Sequence, residues 1–145
     1  MNKHVQGVSL AAAYGLISGL ILTCLFKWLE SVTGEKIYTF LLNVDYIPVI
    51  GDISFPEWIE VVFHLIVSIV VTIGFYLMFQ LRTTWKRQSL LICTGVSIVI
   101  GIALFPTTAL SDHTPEITDG LSLLYWLLGH AVFGAVLGLF YRLGK

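Results

Sequence analysis

Two histidines set in apolar stretches are the residues of this chain best suited to chemistry: His64 in "HLIVSIVVTIGFY" and His130 in "LLGHAVFGAVLG". Around His64, the residues Glu60, Ser68, Thr72, Tyr76 and Gln80 recur every four positions. On a helix that spacing keeps neighbours on one side, although the line winds slowly around the axis. An imidazole titrates near neutral pH and can sense or relay protons. An ionisable group inside a bilayer is costly enough to deserve a functional hypothesis. The competing reading is mutual satisfaction. Ser68 and Thr72 would then bond to their own backbone, Tyr76 and Gln80 would sit at an interface, and neutral histidines would bond between helices. A metal would need a third ligand such as Glu60, with water as a fourth, and two imidazoles on separate helices can ligate a haem. Neither constellation has supporting spacing, so no metal and no cofactor is predicted. Glu60, His64 and Ser68 carry hydrolytic groups, but i,i+4 spacing alone makes no triad. No nucleotide loop, HExxH or nucleophile elbow is present. No catalytic residue is assigned, and the reading leans against an enzyme.

These residues need an apolar scaffold, and the composition supplies one. Of 145 residues, 57% are hydrophobic and 12% charged, with a mean hydropathy of +0.88. A soluble domain carries about 25% charge. Four apolar spans stand out, at about 8–28, 58–81, 90–110 and 121–141. Each has the roughly 20 residues that cross about 30 Å of hydrocarbon as a helix. The expected fold is therefore all-α: one integral membrane domain over 1–145, built as a four-transmembrane-helix bundle. The N-terminal stretch is similar to a signal peptide, but its apolar run is too long for an ordinary signal core and no small-residue cleavage pattern stands out, so a retained first helix is expected. Cys24 and Cys93 are single cysteines in apolar runs and read as small apolar side chains. No basic block points to nucleic acid.

The joints carry opposite charge. "QLRTTWKRQ" (80–88) is basic and "SDHTPEITDG" (111–120) is acidic. Placing Arg82, Lys86 and Arg87 in the cytoplasm also places Lys3, Arg142 and Lys145 there. Both termini are then cytoplasmic, as an even number of spans demands. The external segment 29–57 is long. Its "IYTFLLNVDYIPVI" is too short to cross and is interrupted by Asp45 and Pro48, so an interfacial or partly re-entrant element is expected. A plain interfacial loop is the first expectation and a cover over the bundle the alternative. Small residues recur at four-residue steps, with Gly15 and Gly19 in the first span, Ser97 and Gly101 in the third, and Gly134 and Gly138 in the fourth. Such rows permit close helix approach and suit either packing within the chain or a homo-oligomer. His64 and His130 lie at similar depth, so the two can meet if their faces do.

These residues also carry a family resemblance. "YGLISGLILTCLFKWLE", "HLIVSIVVTIGFY", "GIALFPTT" and "LLGHAVFGAVLGLFYR" resemble the helices of the YagU-like inner-membrane proteins (DUF1440). His64, Ser68, Gly74, Tyr76, Gly129, His130 and Arg142 stand at matching places. The resemblance covers most of the chain and is weakest over the first external segment. It implies a multi-pass protein of the bacterial inner membrane and supplies neither substrate nor reaction. Three functions remain open. One is a response to external acid or envelope stress, in which Glu57, Glu60, Asp112, Glu116 and Asp119 titrate with His64, His113 and His130. The second is an oligomeric channel or transporter lined by the polar stripe. The third is a non-catalytic accessory subunit of a membrane complex. The expected partners are lipids, further copies of the chain, or another membrane protein.

Overall fold

The first helix outruns its apolar stretch because nothing breaks it before residue 34. In the computed structural model, which describes residues 2–45, 47 and 53–144, α1 spans Lys3–Thr33. The Asn2 side chain accepts from His4 N at its start, and Gly34, at φ 79°, ends it by donating to Glu30 O. A β-carbon would strain that left-handed cap. The later helices are α2 (Ile37–Leu42), α3 (Glu57–Leu81), α4 (Ser89–Leu104) and α5 (Gly120–Leu143). A 3-10 segment over Thr83–Gln88 joins α3 to α4, and another over Phe105–Leu110 continues α4. The third span thus changes character at Leu104. Pro106 has no N–H for the next α-helical bond and its ring crowds the preceding turn, so the chain tightens. No strand occurs among the described residues. Among the described residues, four helical stretches, His4–Thr33, Glu57–Leu81, Thr83–Leu110 and Gly120–Leu143, are long and apolar enough to cross a membrane.

The bundle is two antiparallel pairs, α1 with α3 and α4 with α5, joined through α1 and α5. The helices α3 and α4, though consecutive in the chain, make no substantial contact. Lipid gives helices little hydrophobic reason to associate, so close van der Waals approach must do it. A β-carbon on Gly15 would lie 2.8 Å from Ile69 Cα, and one on Gly19 2.7 Å from Ser68 Oγ. Gly134 and Gly138 press equally hard on α4. The glycine rows therefore serve packing within the chain. Hydroxyl and indole groups add bonds between helices, with Ser89 Oγ donating to Gly138 O at 2.9 Å and Tyr141 Oη to Thr72 O at 2.7 Å. Each such bond is worth roughly 0.6–2 kcal/mol.

Acidic charge is confined to one end of the bundle, which also holds Lys27 and Lys36, while the other end is basic. Arg82, Lys86, Arg87 and Arg142 lie at the end where α1 begins and α5 finishes, and Lys86 Nζ donates to Gly144 O there. Every described acidic residue lies at the opposite end or within a turn of it. We call these the basic and acidic ends.

At the acidic end α2 turns inward, with Ile37, Phe40 and Leu42 buried against α1, α3 and α5. The described part of the first joint is thus a roof packed on the bundle and not a plain interfacial loop. Residues 46 and 48–52 of the expected interfacial or re-entrant stretch lie outside the described residues. Glu30 explains the inward turn. Its carboxylate accepts from Tyr38 N (2.7 Å), Thr39 N (2.9 Å) and Thr39 Oγ1 (2.7 Å), so it satisfies the first turn of α2 from α1. Replacing Glu30 with alanine is expected to raise amide exchange across residues 37–42 on the order of tenfold to a hundredfold. The α5 amides should be unchanged in the same hydrogen-exchange experiment.

Asp119 starts α5 in the usual N-cap manner, with Oδ1 accepting from Leu121 N (3.0 Å) and Ser122 N (3.2 Å). The Ser122 backbone bond, then the Ser122 side chain, hold its pKa below the ordinary aspartate value. A depressed pKa contributes stability above the unfolded-state value and loses it as pH falls through the folded one. Acidification is therefore expected to weaken this cap and raise fraying of the first turn of α5. Exchange at Leu121 and Ser122 measured against pH tests this, since Asp119→Asn should keep the cap and lose the pH dependence.

Candidate functional site

Because α3 and α4 do not close on each other, a cavity of about 510 Å³ remains between them. Its α3 wall carries Glu60, His64, Ser68 and Val71; α4 contributes Ser97, Ile100 and Leu104. Its back is α5, through Trp126, His130 and Phe133, with Leu22 of α1, and its roof is residues 40–44. The two histidines singled out from the sequence therefore share one space. Glu60 and Ser68 join them there. Thr72 and Tyr76 do not: Thr72 Oγ1 donates to Ser68 O at 2.8 Å, and Tyr76 lies over Gly7. The four-residue stripe winds away from the cavity before reaching the basic end, as a row at 100° per residue must.

His130 is tightly held. Its Nδ1 donates to Trp126 O at 2.9 Å, its ring lies 4.4 Å from that of Trp126, and the absent side chain of Gly101 makes room for it. A carbonyl can only accept, so Nδ1 carries the proton and Nε2 is the ring's remaining nitrogen. It has no partner among the described residues. Trp126 is locked in turn, donating from Nε1 to Gly101 O at 2.9 Å. His64 is held more loosely, with Nε2 3.5 Å from Ser68 Oγ, at the limit of a useful hydrogen bond.

Two buried polar atoms on the cavity lining have no hydrogen-bond partner among the described residues, Ser97 Oγ and Asn43 Nδ2. Ser97 is only 1% exposed. A buried hydroxyl or amide left unmatched costs about 1–3 kcal/mol, and each atom lies just behind the cavity surface, to be reached only by a turn of its side chain. Ser18 Oγ and Thr108 Oγ1 are also unmatched but lie away from the cavity. Among the described residues, no three of His, Cys, Asp or Glu converge as metal ligands.

The mouth of the cavity faces sideways. Ile66, Val67 and Leu104 line it and are also 52%, 57% and 39% exposed on the outer surface, where lipid tails would lie. The opening is thus between α3 and α4, in the plane of a bilayer.

No family model, curated protein or solved structure matches this chain.

Over the cavity, the roof is pinned by polar groups. Tyr38 Oη donates to Glu57 Oε1 at 2.6 Å, and Lys27 Nζ pairs with the same oxygen. Burial, with Glu57 beside it, pushes the Tyr38 hydroxyl pKa up, so it stays a donor. Asp45 Oδ2 accepts from Ser111 Oγ (2.9 Å) and His113 Nδ1 (3.2 Å), tying the roof's far side to the α4–α5 joint. The exposed pairs add little stability alone, but together they fix where the roof sits. In the sequence Ser97 reads as a packing residue only, and Asn43 and Trp126 are assigned no role. The Ser97–Gly101 spacing was a usable signal, since a hydroxyl on the small-residue face of a membrane helix needs a partner. Asn43 carried none.

Proposed function

We propose that this protein binds an amphipathic molecule drawn sideways from the bilayer into the cavity between α3 and α4. The observation that carries the reading is a cavity with apolar walls and unmatched polar atoms whose mouth lies on the lipid-facing surface. Its volume falls within the roughly 300–1,000 Å³ usual for small-molecule sites, and such sites combine apolar lining with few polar groups. The proposal includes the orientation that puts the basic end in the cytoplasm, and the bacterial inner membrane and YagU-like membership that the sequence resemblance implies. The channel reading loses its support along α3, where Thr72 is bonded to its own backbone and lies outside the cavity. An acid response keeps one observation in its favour, the placement of His64 and His130 on one cavity.

Trp126 reports on occupancy, being 2% exposed and on the cavity lining. In a variant with Trp28, Trp58 and Trp85 changed to phenylalanine, reconstituted in nanodiscs, a brominated fatty alcohol is expected to quench Trp126 saturably. Adding Val67→Phe and Ile100→Phe, which narrow the mouth, should abolish the quenching. Quenching that stays linear with probe, or that ignores the narrowed mouth, would overturn the proposal.

A further inference from the structure

Resting on that reading, we infer that the ligand's head is an uncharged planar ring with oxygens on opposite sides, the chemistry of a lipid-soluble quinone or quinol. Charge is excluded first. No lysine or arginine is among the described residues of the lining, and an anionic head would be buried at mid-bundle without a cation, at a cost of several kcal/mol. A cationic head would find only Glu60, at the acidic end of the cavity and two turns above Ser68.

The polar atoms are also divided between two walls. On one side stand His64 and Ser68 of α3, with their mutual contact stretched to 3.5 Å. On the other stand the unmatched hydroxyl of Ser97 and the free Nε2 of His130. A single hydroxyl or ester head can satisfy one wall. A ring bearing two opposed oxygens can satisfy both, accepting as a carbonyl from Ser97 once that hydroxyl turns into the space, or donating to His130 Nε2 as a hydroxyl. The back of the cavity also carries an aromatic ring, Phe133, against which such a head can pack. The tail then leaves between Val67 and Leu104 into lipid.

The test uses the single-tryptophan protein in nanodiscs with two probes that share a tail, decyl-p-benzoquinone and decylbenzene, each dosed per mole of lipid. Binding is read by displacement of the brominated alcohol from Trp126. The quinone is expected to bind at least about tenfold more tightly than decylbenzene, the yield of one or two well-placed hydrogen bonds. Ser97→Ala and His64→Leu should each weaken the quinone by roughly three- to tenfold and leave decylbenzene unchanged, which also shows that the variants are folded. Equal displacement by both probes would overturn the head-group assignment and leave lateral ligand binding standing. Loss of both probes' binding in a variant would count against a head-specific role for that residue, and Ser97→Thr, which restores the hydroxyl, should then fail to recover the quinone preference. Displacement by neither probe, with no saturable quenching by the alcohol, would overturn both inferences together.

Discussion

Gly134→Leu is expected to separate α4 from α5 and leave no folded bundle. A β-carbon at Gly134 would stand 2.5 Å from Cys93 O and 2.6 Å from Thr94 Cα, and one at Gly138 2.5 Å from Leu90 Cα. These neighbours are backbone, which cannot swing aside as a side chain can. Alanine at either position should already cost about 1–3 kcal/mol by overpacking, and the cost at Gly138 includes the Ser89 bond to its carbonyl. Among the described residues, Gly74 and Gly95 have no neighbour beyond their own helix backbone within 4 Å of an added β-carbon. Alanine there should be neutral, or stabilising by roughly 0.5–1 kcal/mol through helix propensity. Unfolding in mixed micelles, followed by circular dichroism across the four alanine variants, decides the matter. A Gly134→Ala protein as stable as Gly95→Ala would show that the α4–α5 seam is looser than described.

Trp126→Ala is the second large effect expected, a loss of about 3–5 kcal/mol. The indole ring is stacked on Phe26 at 5.4 Å, lies 4.2 Å from Phe40 and 4.4 Å from His130, and donates to Gly101 O. One side chain of α5 thereby touches α1, the α2 roof and α4. In lipid the loss is one of dispersion contacts and a hydrogen bond more than of water-driven burial. Trp126→Phe separates the two contributions. It keeps most of the ring contact and removes only the indole N–H bond, since the Gly101 carbonyl still accepts from Phe105 N, for about 0.5–1.5 kcal/mol. The same micelle unfolding measurement applies, and an alanine variant within about 0.5 kcal/mol of the parent would remove Trp126 from the centre of the bundle.

The four crossing helices were legible in the sequence because a bilayer imposes length and apolarity on each span separately. Their ends were less so. Hydropathy stops at Trp28, but helix geometry continues until Gly34 permits a left-handed turn, and Pro106 converts the last turns of the third span without changing its apolarity. The shared depth of His64 and His130 was also legible, since depth is counted along each helix from its end. The space between them was not. It exists because α3 and α4 stand apart, whereas a short joint between consecutive spans suggests a packed hairpin. Nor could the inward roof be foreseen, because the Glu30 carboxylate that settles α2 acts on residues eight and nine places on, with no spacing rule to announce it. The glycine rows at 15 and 19 and at 134 and 138 allowed packing within or between chains. Atoms of α3 and α4 lying under them, backbone at Gly15, Gly134 and Gly138 and the Ser68 side chain at Gly19, place that packing within the chain.

The pairing of α1 with α3 and of α4 with α5 has a consequence for biogenesis. Each pair closes its own glycine seam, so helices can insert and find a first partner before the whole chain is in the membrane, as stepwise assembly of membrane helices allows. The halves then meet through α1 and α5, where Phe26 slots over Gly129. His64 arrives with the first half, and Ser97 and His130 with the second. The pocket therefore comes into being only at the last docking step, and belongs to neither half alone.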